Sequence, residues 1–193
     1  MTRVEHQVLH NYLRDARETL VWKMSGLGEY DMRRPMTPTG TNLLGLVKHS
    51  ATTHVLYFCE VFARDGGLSI PWRQAGNDPN ADFWATADET SEDIVAICRQ
   101  ARATADATIA ELPLQAVGLV PWWGDREVTL HHVLVHVTAE MQRHAGHADI
   151  IRELIDHSAG LLEGHDNLPK RDSTWWKDHR DRVESAARQA GHR

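Results

Sequence analysis

Cysteine is nearly absent: Cys59 and Cys98 are the only two in 193 residues. They are too few for a disulfide framework and too far apart for a CxxC redox pair. Both stand in apolar helical surroundings, so each is expected to be a reduced, buried thiol. Basic charge is not in excess either. With 21 Lys and Arg against 27 Asp and Glu, the net charge is -6, which argues against the basic face a nucleic-acid binder turns to phosphates. The one basic cluster, Lys170, Arg171, Arg180 and Arg182, is interleaved with acids and reads as a solvated helix face. No apolar run approaches the roughly 18 residues of a membrane span. Met1 to His10 carries no apolar segment behind a basic one, so no export signal is expected. Strand alternation and internal repeats are missing too. These absences predict one cytoplasmic domain over 1–193, large enough to bury its own core.

What is present is helical periodicity, with 13 histidines and 7 tryptophans. A first helix is predicted from about Arg3 to Met24, with Val8, Tyr12, Leu20 and Trp22 as core candidates, ended by Gly26 and Gly28. Thr41 or Asn42 caps a second helix reaching about Asp65. Its apolar residues cover most of its circumference, which predicts a central position. A connection from Leu68 to Ala87, rich in Pro, Gly, Asn and Asp, is too long for a hairpin and is expected to cross the molecule. A third helix runs from Thr90 or Ser91 to Glu111, and a fourth from about Thr129 to His157. An amphipathic helix from Thr174 to Ala190 follows. The predicted fold is all-α: an up-up-down-down four-helix bundle with an extra C-terminal helix.

The fourth helix carries the chemistry. At about 100° per residue, His136, Glu140, His144 and His147 share an arc of about 80° with Val133, Val137, Ile151 and Leu154. Ionisable groups on an apolar face are costly unless something compensates them, and a divalent cation accepts imidazole and carboxylate lone pairs together. Glu140 and His144, one turn apart, can reach one ion, as can His136 and Glu140. A further ligand must come from another helix, and the second helix offers His49 and His54. Periodicity alone slightly favours His54, which is better centred on the apolar face.

Three stretches carry a resemblance: Asn42-Leu43-Leu44-Gly45-Leu46-Val47-Lys48-His49, Asp78 to Thr86 (DPNADFWAT), and Arg143-His144-Ala145-Gly146-His147-Ala148-Asp149-Ile150. With Val120-Pro121-Trp122-Trp123, they resemble an actinobacterial, mycothiol-transferase-like branch of the DinB/YfiT-like superfamily, over nearly the whole chain. The resemblance implies a metal held by His49, Glu140 and His144, a set similar to that of mycothiol-dependent maleylpyruvate isomerase. It moves the choice on the second helix from His54 to His49 and leaves His54, His136 and His147 as residues supporting the ligands or lining the pocket. It further implies zinc (with nickel, manganese or iron also compatible), mycothiol or a similar small thiol as co-substrate, a small electrophile as its partner, and a homodimer.

The function expected from these residues is a metal-dependent thiol S-transferase, with the thiol attacking the electrophile as a thiolate. A metal-dependent hydrolase on the same scaffold and a non-catalytic stress-response or ligand-binding protein are the alternatives. Arg143, Arg152, Trp84, Trp122 and Trp123 are candidates for the pocket of an anionic or sugar-bearing thiol, and the tryptophans are equally compatible with plugging the ends of the bundle.

Overall fold

Side-chain capping sets where the long helices begin. Asn42 Oδ1 accepts from Gly45 N at 2.7 Å, Thr90 Oγ1 from Asp93 N at 3.0 Å, and Thr129 Oγ1 from His132 N at 3.2 Å. Each satisfies a donor that the first helical turn leaves unpaired. The computed structural model describes residues 3–74 and 78–191. Among these, α1 (Arg3–Trp22), a one-turn α2 (Glu29–Arg33), α3 (Leu43–Phe58), α4 (Ser91–Glu111), α5 (Leu130–Asp156) and α6 (Ser173–Gly191) are the helices. No described helix is long and apolar enough to cross a membrane.

The bundle is formed by α1, α3, α4 and α5. Lys23, just past the end of α1, meets Asp149 of α5 at 2.6 Å, while Leu13 packs in one cluster with Val133 and Val137, so α1 and α5 run the same way. Tyr57 meets His136 and His49 meets His144, which makes α3 antiparallel to α5. Lys48, early in α3, reaches Glu89 just before α4, and Phe58 clusters with Ala105 and Ile109, so α3 and α4 are parallel. Two helices therefore run up and two down, but in chain order up, down, down, up rather than the expected up-up-down-down, because α1 pairs in direction with α5 and α3 with α4. The long crossover between α3 and α4 is what permits their parallel pairing.

The centre is α3, where every residue except His49 and Leu56 is buried. Its α-helical bonding stops at Phe58, short of the expected Asp65. A 3-10 turn, Glu60–Phe62, follows, and Ala63 then turns the chain away with a left-handed φ of 51°. The core stripe of α1 is Leu13, Ala16 and Leu20 rather than Val8 and Tyr12, which lie exposed at its edge. On α5, Val133, Val137 and Ile151 are buried as expected, but Leu154 is exposed. Both cysteines are buried and free.

One element was not expected. Val117–Val120 (β1) and Arg126–Thr129 (β2) form a short antiparallel hairpin in the register Val117↔Thr129 to Val120↔Arg126. The 3-10 turn Pro121–Trp123 closes it, with Gly124 and Asp125 both at positive φ. Gly118 packs so closely on α3's end that a Cβ there would stand 2.5 Å from the Val61 carbonyl oxygen, which fixes the hairpin against the bundle. The extra C-terminal helix, α6, is present, and none of its residues is buried.

Candidate functional site

His49 owes its orientation to a close backbone approach one turn before it in α3, at Gly45. At Gly45 an added Cβ would stand 1.8 Å from the Phe83 carbonyl oxygen, so the crossover segment lies directly on the helix there. The capping residue Asn42 fastens this contact, its Nδ2 donating to Phe83 O at 3.1 Å and to Gly40 O at 3.0 Å. Lys48 secures the next stretch. Its buried ammonium donates to Trp84 O at 2.8 Å and pairs with the Glu89 carboxylate at 2.8 Å. With the segment pinned, Asp82 and Phe83 fall on His49. Asp82 Oδ2 lies 2.9 Å from His49 Nδ1, and the Phe83 ring stacks on the imidazole at 4.1 Å between centroids and 20° between planes. A carboxylate only accepts, so Nδ1 is the donor to Asp82, while Nε2 lies 3.3 Å from Thr53 Oγ1.

Two turns of α5 face it. The His144 ring is 5.0 Å from that of His49, edge on, and His144 Nε2 is 3.6 Å from Glu140 Oε2. Burial, then the neighbouring His49, pushes the His144 pKa down to about 4 against the opposing pull of Glu140. At neutral pH the contact is thus a neutral imidazole beside a carboxylate rather than a salt bridge. Both His144 ring nitrogens are buried without a hydrogen-bond partner. That arrangement is costly by itself and suits a lone pair meant for a cation. The spacing fits too, since N and O ligands each about 2.1 Å from a tetrahedral ion stand roughly 3.4 Å apart. Among the described residues, no three His, Cys, Asp or Glu side chains form a group placed to hold a metal ion. His144 is the shared neighbour, with His49 on one side and Glu140 on the other.

The supporting histidines divide. His147 stays at the site, its ring 5.7 Å from His144. His136 lies two turns before His144, its Nε2 3.1 Å from the Tyr57 hydroxyl, and desolvation lowers its pKa. His54 is elsewhere. Its Nδ1 donates to Ser50 O at 2.5 Å, and it is fully buried among Arg17, Arg102 and Asp106, burial driving its pKa down to about 3. Arg143 is exposed next to His144. Arg152 is not a pocket residue: it donates to the Lys23 and Ser25 carbonyls and to Asp156, bracing α1 against α5.

Tryptophans 122 and 123 gather around Tyr57, with ring centroids at 5.3 and 5.9 Å, and Trp122 Nε1 donates to the Tyr57 hydroxyl at 3.3 Å. Trp123 also meets His136 at 4.7 Å. These rings form an aromatic wall on the hairpin side of Glu140. Trp84 lies on the other side, half-exposed, its Nε1 donating to Asp78 at 2.8 Å. Sequence reasoning missed Asp82, Phe83 and Tyr57. A search for a carboxylate able to hold the second nitrogen of a ligating histidine would have pointed to the acids of the Asp78–Thr86 stretch.

No curated protein matches the chain. A solved structure of a conserved protein from Enterococcus faecalis matches with a TM-score of 0.62 at 18% identity, over 82% of this chain and 99% of that one, which shows a shared fold. The family model described as Mycothiol-S-transferase matches residues 8–157, a span that takes in the bundle from Val8 of α1 to the end of α5, with the crossover and the hairpin. The chain belongs to the mycothiol-S-transferase family.

Proposed function

We propose that this protein is a divalent-metal-dependent mycothiol S-transferase, with His49, Glu140 and His144 as the metal ligands. The observation that carries the reading is His144: a buried, neutral imidazole with neither nitrogen bonded, beside Glu140 and edge-on to a histidine whose own tautomer a carboxylate fixes. A divalent cation in this set would favour the thiolate form of the thiol at neutral pH and leave a position open for it. Two imidazoles and one carboxylate suit zinc, and nickel, manganese and iron accept the same donors.

The chain's own residues supply the rest. Asp82 holds His49 with Nε2 forward and raises its basicity as a ligand. Phe83 covers one face of that imidazole and keeps water from it. Glu140 contributes the negative charge that makes a cation welcome between two neutral rings. The wall of Tyr57, Trp122, Trp123 and His136 offers an apolar, polarisable surface for a small electrophile, with the Tyr57 hydroxyl as its polar point. In the transfer itself, the thiol's proton passes to solvent and the sulfur lone pair forms a C–S bond. The electrophile then either loses a leaving group with the bonding electrons, as with a halide, or keeps them on an epoxide oxygen or alkene carbon that takes up a proton.

The test is metal content of the purified protein by plasma mass spectrometry, paired with thiol-dependent turnover of an electrophile panel. Stoichiometric metal in the wild type and in His54→Ala, with loss in His49→Ala and His144→Ala, is the expected result. Equal retention in all four, or no mycothiol-dependent turnover by the metal-loaded wild type, would sink the reading.

A further inference from the structure

Beside His49, on the far side of Phe83, an open groove of about 460 Å³ is lined by Thr39, Thr41, Asp78, Asn80, Phe83 and Trp84. This volume falls in the range of small-molecule sites. Two features make the groove preformed. The Asn42 carboxamide ties its two walls together, donating to Gly40 O on one and Phe83 O on the other. Asp78 is likewise held, Oδ1 accepting from Asn80 N at 2.8 Å and Oδ2 from Trp84 Nε1 at 2.8 Å, which also fixes the indole plane. Such preorganisation lowers the ordering cost of binding.

The chemistry of the lining selects the ligand. Among the described lining residues Asp78 is the one charged side chain, and the hydrogen bonds from Asn80 and Trp84 keep it ionised. A phosphate or carboxylate would meet that anion with no cation to offset it. Phe83 and Trp84 present half-exposed ring faces, while a carboxylate, a carboxamide and two hydroxyls supply acceptors and donors around them. An aromatic face bordered by such groups matches a neutral polyol ring, apolar on its C–H face and polar at its rim.

We infer that this groove receives the amino-sugar–inositol part of the thiol co-substrate, with a sugar face on Trp84 and its hydroxyls on Asp78 and Asn80. The inference rests on the mycothiol reading above, since it takes the thiol to be a cysteine joined through an amide to that sugar. Phe83 links the two sites, touching His49 with one face of its ring while lining the groove. From sulfur to sugar ring is five bonds, roughly 6 Å in extended form. A molecule of that span would join two sites that share one aromatic ring.

The experiment titrates the thiol-free glucosaminyl-inositol fragment into the chelator-stripped full-length protein, followed by calorimetry. Saturable binding to the wild type is expected, weakened at least tenfold in Trp84→Ala and in Asn80→Ala and changed less than twofold in Trp122→Ala. Asn80 is exposed, so its variant reads the groove even where Trp84→Ala folds poorly. Because the fragment carries no sulfur and the protein no metal, the result is separable from the metal reading. A wild type that never holds metal but binds the fragment loses the metal and keeps the groove. A wild type that holds metal but gives no saturable binding, or one whose binding is lost in Trp122→Ala and kept in Trp84→Ala, overturns the groove.

Discussion

Replacing Gly45 with alanine should destabilise the protein, although the same change at another helical glycine should stabilise it. In a helix interior, Gly→Ala usually gains about 0.5–1 kcal/mol. At Gly146 of α5 an added Cβ meets nothing within 4 Å, so Gly146→Ala should realise that gain. At Gly45 the new carbon would stand 1.8 Å from Phe83 O and 2.5 Å from Phe83 C, both backbone atoms with no rotamer to escape into. The crossover must retreat by more than an ångström. Overpacking of this kind costs about 1–3 kcal/mol, and the broken Asn42–Phe83 hydrogen bond adds about 1 kcal/mol. After the helix-propensity gain of about 0.8 kcal/mol, a net loss of roughly 1–3 kcal/mol remains. The two variants should therefore differ by about 1.5–4 kcal/mol, or several degrees in Tm for a chain of this size. Urea unfolding with an unchanged m-value is the assay. The retreat also draws Asp82 and Phe83 off His49, so Gly45→Ala should bind metal less tightly while Gly146→Ala does not. Equal stability of the two variants would refute the close approach and, with it, the account of how His49 is aimed.

Three further outcomes follow from the same contacts. Asp82→Asn should leave the circular dichroism spectrum unchanged and weaken metal affinity about 10- to 100-fold, the usual cost of losing a carboxylate behind a ligating histidine. Unchanged affinity would remove Asp82 from the site. Glu89→Ala strips the partner from the buried Lys48 ammonium and should cost about 3 kcal/mol, whereas Lys48→Met combined with Glu89→Ala should cost less. A double variant no more stable than Glu89→Ala alone would contradict that pairing. Acid should act through His54, whose folded pKa of about 3 lies below its unfolded value near 6.5. Between those values the unfolded chain binds the proton and the folded one does not. The stability present above pH 6.5 should thus fall by up to about 1.4 kcal/mol per unit as pH drops. His144 adds to the slope with the same sign down to about pH 4. In His54→Gln the acid limb should be shallower by one group, and parallel stability–pH curves for the two proteins would disprove the assignment.

The bundle was legible because four long helices announce themselves by cap and periodicity: Asn42, Thr90 and Thr129 stand where a donor-poor first turn needs them. The enclosed position of α3 followed from apolar residues on all its sides. The hairpin was not legible. Each strand has four residues, and β1 exposes Val117 while burying Gly118, so its alternation is carried by packing on Val61 rather than by residue type. On α1, Val8 and Tyr12 misled because composition does not say which of two possible stripes faces the core. Leu13, Ala16 and Leu20 decide it, and buried Arg17 lies on the inner side, which hydropathy alone would have placed outside. Asp82 escaped notice for a different reason. It is 33 residues from His49, and only the chain's path across Gly45 brings the two together.

The choice between His49 and His54 shows what periodicity leaves out. Both sit on α3, both are within reach of a buried imidazole's usual fate, and His54 is the better centred and the more deeply buried. Its Nε2, like the nitrogens of His144, has no hydrogen-bond partner. An orphaned nitrogen is therefore not enough to mark a ligand. The surrounding charge separates the two positions. His54 lies in the field of the Arg17 and Arg102 guanidiniums, and both disfavour positive charge on it, with Asp106 only partly offsetting them. A divalent cation there would face the same repulsion doubled. At the other position, His49 is backed by Asp82 and looks toward Glu140 through His144, so each nearby carboxylate favours a cation. Hydropathy patterning reads where a side chain points, whereas the sign of the surrounding field is what favours His49 over His54 for the proposed metal. On α3 that sign reverses within five residues, because one side of the helix faces the arginines of α1 and α4 and the other faces the carboxylates of α5 and the crossover.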